Sequence, residues 1–190
     1  MATVQQSSLP EMLVQSRELM QNPSVPVFEH YEQRGTITNA AIYVGVAALI
    51  AAALGFIGGI NGLISGLLIS LVQFFAFTGM VYFLGKRLYA GTGTWDEVAY
   101  TFSLFTAPLI VVGALLSFVV ALLGWIPLIG WLVGFAGGIV SILLLVVQVY
   151  YAYLAVQSSM NLRDQSQALT VLILSFVTSA VAIGLVAWIF

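Results

Sequence analysis

Lys86, Arg87, Asp96 and Glu97 stand close together in FLGKRLYAGTGTWDEVAYTF, residues 83–102, between two long apolar runs. The chain has only five Lys and Arg and seven Asp and Glu, so four ionic side chains in one connection is a concentration. Two cations and two carboxylates could move a proton, hold a charged partner, or mark the point where a chain leaves a membrane. A second candidate is Glu29 beside His30, the only histidine. One imidazole and one carboxylate could pass a proton, but no nucleophile accompanies them. They also fall short of the three or four ligands of a zinc site. AGTGT, residues 90–94, is glycine-rich but lacks the G-x-G-x-x-G spacing and follows no strand, so it reads as a turn rather than a phosphate cradle. There is no cysteine, which excludes disulfides and thiolate chemistry. No apolar run holds a histidine that could ligate haem. The residues therefore offer no catalytic, metal or cofactor site, and no enzyme is expected.

The elements that hold these charges follow from composition. Of 190 residues 61% are apolar and 6% charged, with mean hydropathy +1.08. A soluble domain carries about 25% charged residues, so the chain reads as a membrane protein. The net charge of −2 gives no reason to expect nucleic acid. Residues 1–36 are polar, without a basic stretch leading into an apolar core, so no cleavable signal peptide is expected.

A bilayer core of about 30 Å needs roughly 20 helical residues. Five runs qualify: 37–58, 63–85, 103–123, 131–157 and 168–190. None alternates as a β-barrel strand would. The expected fold is all-α, a polytopic bundle of five transmembrane helices (37–190) preceded by a tail (1–36) with a short amphipathic helix. Five crossings put the tail, the 86–97 connection and the turn MNLRDQSQ on one side. All five basic residues, Arg17, Arg34, Lys86, Arg87 and Arg163, lie there. The positive-inside rule makes that side cytoplasmic and the end at Phe190 the opposite one. Trp95, Trp125, Trp131 and Trp188 fall at span ends, where aromatic anchors collect.

On this reading Lys86 and Arg87 stop the second span, since each costs about 2.5–3.5 kcal/mol at mid-bilayer. Thr94 and Glu97 have capping-box spacing. Trp95, Val98, Ala99, Phe102 and Phe105 follow on one helical face. Ser8 and Glu11 form a second box, opening a helix that ends before Pro23 and Pro26. Leu9, Met12, Leu13, Leu19 and Met20 make its apolar side; Glu11, Gln15, Arg17 and Glu18 make the other. That helix is expected to pack on its own bundle or lie at the interface. Inside the membrane, Gly62 with Gly66 and Gly130 with Gly134 and Gly138 form small-residue ridges for close helix packing. Gln73 and Gln148 are expected to hydrogen-bond across helices, and Pro108 to kink the third span.

These features resemble the Yip-domain family, named for Ypt/Rab GTPase-interacting proteins. LMQNPSVPVFEHYEQRGTITNAAIYVGVAAL is similar to the family's approach to its first span. WDEVAYTFSLFTAPLIV, with Tyr100 and Pro108, is similar to its entry to the third. YYAYLAVQSSMNLRDQSQALTVLILS is similar to its exit from the fourth. The compact tail resembles bacterial members, and the DLYGP-like sequence of eukaryotic trafficking members is missing. The resemblance implies five spans and a cytoplasmic tail in a bacterial plasma membrane. The expected function is a non-catalytic scaffold or adaptor. Its docking face would be Lys86, Arg87, Asp96, Glu97, Arg163 and Asp164. Its partners would be membrane lipids and membrane proteins or further copies of itself. Two alternatives stand beside it: an accessory subunit of a respiratory or photosynthetic complex, and a small-solute channel or transporter lined by Gln73, Gln148, Thr78, Ser103 and Thr106.

Overall fold

Thr36 sets the start of the first long helix. Its N–H donates to Asn39 Oδ1 (3.1 Å) and the Asn39 N–H donates to Thr36 Oγ1 (3.4 Å), a reciprocal cap for donors that a helix start leaves free. The computed structural model describes residues 7–189, apart from the side chains of 65, 182 and 185–189. Its α-helices are α1 (Leu9–Gln21), α2 (Val25–Glu32), α3 (Ile37–Gly55), α4 (Gly59–Tyr89), α5 (Trp95–Leu123), α6 (Ile129–Ser159) and α7 (Gln165–Ile189). No strand occurs among the described residues.

Four helical stretches are long and apolar enough to cross a membrane: Ile37–Ile64, Gly66–Tyr89, Trp95–Leu123 and Ile129–Ser159. The first runs from α3 through a turn into α4. Gln165–Val181, within α7, is a shorter apolar helix. The chain is thus a multi-pass membrane protein, with α7 in the place of the expected fifth span. Phe190 and the side chain of Trp188 lie outside the described residues.

The helices extend further than hydropathy alone suggests. α4 continues to Tyr89, which puts Lys86 and Arg87 in its last turn rather than in the connection, where cations favour the negative end of the helix dipole. α5 begins at Trp95, ahead of the apolar run at 103 and where the Thr94–Glu97 capping box puts a helix start: the Thr94 N–H donates to Glu97 Oε2 (2.7 Å) and the Glu97 N–H to Thr94 Oγ1 (3.2 Å). Pro108 lies inside α5, which continues through it. α2 is an addition. Pro23 and Pro26 read as terminators, but Pro26 sits in the first turn of α2, where a missing N–H costs nothing.

Between α3 and α4 the chain makes a 3₁₀ turn, Phe56–Gly58, and reverses at Gly59 with φ +77°. Only glycine adopts that conformation at little cost. The turn brings the two backbones together. A Cβ on Gly62 would strike the Gly55 carbonyl, and one on Gly66 would lie 2.9 Å from Ala52 Cα.

The other glycine ridge behaves differently. A Cβ on Gly130 would meet the Gly124 carbonyl in the α5–α6 turn, whereas Gly134 and Gly138 face open space. α6 approaches α5 instead at Gly137, beside Val120, and turns Trp131 and Phe135 outward as a stacked pair 6.0 Å apart. Gly134→Leu and Gly138→Leu are therefore expected to leave thermal stability within about ±0.5 kcal/mol of the parent, measured by melting in detergent.

Packing is uneven along the bundle. Buried residues of α5 run from Val98 to Leu109, while Val112, Leu115, Val119 and Leu122 beyond them are exposed. α6 shows the same polarity: apart from Gly137, its buried residues gather at Tyr151–Ser159. α5 and α6 are close-packed at the end that carries the tail and more open toward the turn that joins them, whereas α3 stays buried as far as Ala52 beside α4.

Candidate docking face at the tail end of the bundle

The tail is folded onto the bundle rather than trailing from it. α1 opens with the Ser8 N–H donating to Glu11 Oε2 (2.7 Å), a bond that holds the Glu11 carboxyl below its usual range. Its buried face is Met12, Gln15, Ser16 and Leu19. This corrects the expected amphipathic division: Gln15 points inward, while Leu9 and Leu13 are exposed with Val14. The cause is hydrogen bonding to the bundle. Tyr100 Oη donates to Gln15 Oε1 (2.6 Å) from α5, and Ser16 Oγ and Tyr43 Oη of α3 share a bond of 2.9 Å. Buried polar groups that are satisfied in this way can lie in a core, and a leucine in place of Gln15 would orphan the phenol.

α2 inserts an aromatic ring. Phe28 is 0% exposed and meets Phe105 at 6.3 Å between ring centroids. Phe105 in turn packs against Phe102 (5.3 Å) and Tyr151 (5.8 Å). Around this plug, Tyr151 Oη donates to the Met20 carbonyl (3.0 Å) and Tyr31 Oη to Glu18 Oε2 (2.6 Å). Burial, aided by Glu18, pushes the Tyr31 phenol up to about 12, so it remains a donor at any physiological pH.

At the same interface Ser158 Oγ of α6 donates to Glu32 Oε2 (2.7 Å). Glu32 is 6% exposed. Burial pushes its carboxyl up to about 7; the Ser158 bond opposes the shift, while Glu97 and Glu29 add to it. A carboxyl raised on docking binds its proton more tightly docked than free. Docking is therefore firmest where the free carboxyl is also protonated, weakens as pH rises toward about 7, and stays at its weaker level above that. Amide-exchange protection factors in α2 are expected to fall between pH 5.5 and pH 8. In Glu32→Gln they are expected to be pH-independent and high.

Both connections at this end join the same surface. The Ile37 N–H donates to Asp96 Oδ1 (2.8 Å), tying the start of α3 to α5. Asn161 Nδ2 donates to Thr92 Oγ1 (3.0 Å), tying the α6–α7 turn to the α4–α5 connection. AGTGT is not a loose turn: a Cβ on Gly93 would strike the Ser159 carbonyl, and one on Gly91 would crowd Met160. Ser7 Oγ donates to the Arg34 carbonyl (2.7 Å), and Asn39 Nδ2 to the Ser7 carbonyl (3.0 Å). Tail, connection and turn thus form one face at one end of the bundle.

The six charged candidates divide on that face. Asp96 and Glu97 serve as helix-start acceptors, and Asp164 Oδ1 accepts from the Ser166 N–H (2.9 Å) at the head of α7. Lys86, Arg87 and Arg163 are exposed and make no ion pair among the described residues; Lys86 Nζ lies 5.6 Å from the Tyr82 ring centroid. His30 is exposed and bonded to Arg34 (2.6 Å), away from any cluster of metal-ligating groups among the described residues.

The intramembrane glutamines do not pair. Among the described residues neither Gln73 nor Gln148 makes the expected interhelical hydrogen bond. Both instead line a cavity of about 990 Å³ walled by α3 to α7, with Thr78 and Thr106. Ser103 is not in it; its hydroxyl is buried on the Tyr100 carbonyl (2.7 Å).

Long apolar helices, charges gathered at one end and a folded-back tail define a multi-pass membrane helix bundle. More narrowly, the chain belongs to the Yip1 domain family, whose model matches residues 17–189. Comparisons with curated proteins and with solved structures give no match.

Proposed function

We propose that this Yip1-domain protein is a non-catalytic membrane scaffold or adaptor that binds partner proteins through its tail-end face, turned to the cytoplasm of a bacterial plasma membrane. The observation that carries this reading is the face itself. Tail, α4–α5 connection and α6–α7 turn are held as one surface by hydrogen bonds, and Lys86, Arg87 and Arg163 are exposed on it without carboxylate partners. A preformed surface loses little conformational entropy on binding, and exposed cations suit an acidic partner. Carboxylates used as helix-start acceptors leave binding to the cations. α7 supplies a fifth crossing, which puts the far end of the chain outside.

Native co-purification with mass spectrometry tests this. The parent is expected to retain membrane-protein partners in stoichiometric amounts. The combined Lys86→Ala, Arg87→Ala and Arg163→Ala variant is expected to lose them without losing α2 protection. Retention of the same partners by that variant would count against the reading. A constant multi-subunit assembly would favour an accessory subunit. The cavity lined by Gln73, Gln148, Thr78 and Thr106 supports solute passage as a second reading, which a liposome flux assay decides.

A further inference from the structure

The cavity among α3 to α7 carries an inference independent of the docking face. Its lining includes no charged residue. Its rings include Phe77, Phe102, Phe118 and Phe176, and its amides are Gln73 and Gln148. At about 1.5 Å rise per residue, Gln73 stands roughly 20 Å from Lys86 and as far from Gly59 at the other end of α4, which is mid-bilayer depth. An unpaired carboxamide in hydrocarbon is costly, and a side chain at that depth ordinarily finds a partner. Here two helices each present one to the same space, with no protein partner among the described residues. The volume is that of a site for a molecule of some tens of heavy atoms. Lining residues Val149, Ile173 and Phe176 are themselves exposed, so the cavity is not sealed from the lipid.

We propose that this cavity binds a neutral, membrane-dissolved molecule with a long hydrocarbon body and a carbonyl-bearing head, the Gln73 and Gln148 amides donating to its carbonyl oxygens. Charged headgroups are disfavoured because nothing in the lining could compensate them. Two classes share the required chemistry, isoprenoid quinones and diacylglycerols. The aromatic walls favour the flat ring of a quinone, which can stack on them.

The test uses the full chain in nanodiscs and native mass spectrometry with two probes, a decyl-tailed benzoquinone and dioctanoylglycerol. Saturable one-to-one binding of the quinone is expected. Gln73→Leu combined with Gln148→Leu should weaken it about tenfold, as two lost hydrogen bonds imply. Gly113→Phe should abolish it, because a Cβ on Gly113 meets nothing within 4 Å and the residue lines the cavity, so the ring has room to occupy the site. Unchanged α2 protection in both variants shows that they fold. Saturable binding of dioctanoylglycerol with the same sensitivities would assign the site to glycerolipid carbonyls and supports the proposal in its second source. It is overturned if neither probe binds saturably, as for a cavity that holds only water, or if binding survives both Gly113→Phe and the glutamine substitutions.

Discussion

Phe28→Ala is expected to release the tail from the bundle. The side chain is fully buried and packs beside Phe105, with ring centroids 6.3 Å apart. Truncating a buried phenylalanine costs about 3–5 kcal/mol, and every 1.4 kcal/mol is about tenfold in an equilibrium. The population of undocked tail should therefore rise on the order of a hundredfold or more. Because the chain contains no cysteine, Leu19→Cys provides a single reporter thiol, placed at a position that is itself fully buried. Its labelling by a water-soluble maleimide is expected to be slow in the otherwise parental chain and at least a hundredfold faster with Phe28→Ala. Phe28→Leu, which keeps most of the volume, should show a much smaller increase. Equal labelling in all three would mean that the tail is not held by this plug.

Gly62→Leu is expected to be the most damaging single change inside the membrane. The position abuts backbone, since an added Cβ would overlap the Gly55 carbonyl, and a backbone group cannot rotate away as a side chain can. The substitution must therefore separate α3 from α4 at their turn or shift one helix along the other. Overpacking of this kind costs about 1–3 kcal/mol, occasionally more, and without a hydrophobic drive between helices little opposes the separation. A melting temperature lowered by several degrees in detergent is expected. The contrast with Gly134→Leu and Gly138→Leu, which face open space, separates a packing cause from a general intolerance of bulk.

The contrast between these glycines also marks what was legible in the sequence. Local chemistry was: Ser8 with Glu11 and Thr94 with Glu97 are caps that need only three residues' separation. The shared end of the charged segments was legible too, because charge is excluded from hydrocarbon whatever the helices do. Which face of a membrane helix meets its neighbour was not, since lipid and protein interior are equally apolar and leave no polar contrast. Gly134 and Gly137 look alike in sequence, yet only Gly137 meets another helix.

The tail was misread for a related reason. Gln15 reads as solvent-facing until Tyr100, 85 residues away, supplies a buried donor. Glu32 carried no signal in the sequence, because Ser158, which donates to it, lies 126 residues away. The cavity had no sequence signal beyond its two glutamines, whose spacing says nothing about whether they meet each other or a space between them. Yip-domain resemblance was carried by the arrangement of spans, and the family match over residues 17–189 bears it out.

The central claim is that the bilayer, by excluding ionic groups, gathered the tail, the α4–α5 connection and the α6–α7 turn into one face on one side of the membrane. The most direct measurement is compartment-specific labelling of three single-cysteine variants in right-side-out and inverted vesicles: Lys86→Cys, Arg163→Cys and Trp125→Cys. Trp125 is 81% exposed in the α5–α6 turn at the other end of the bundle. Lys86→Cys and Arg163→Cys are expected to react only from the cytoplasmic side and Trp125→Cys only from the opposite side. Reaction of Lys86→Cys and Arg163→Cys from different compartments, or of Trp125→Cys from the same compartment as both, would contradict the claim.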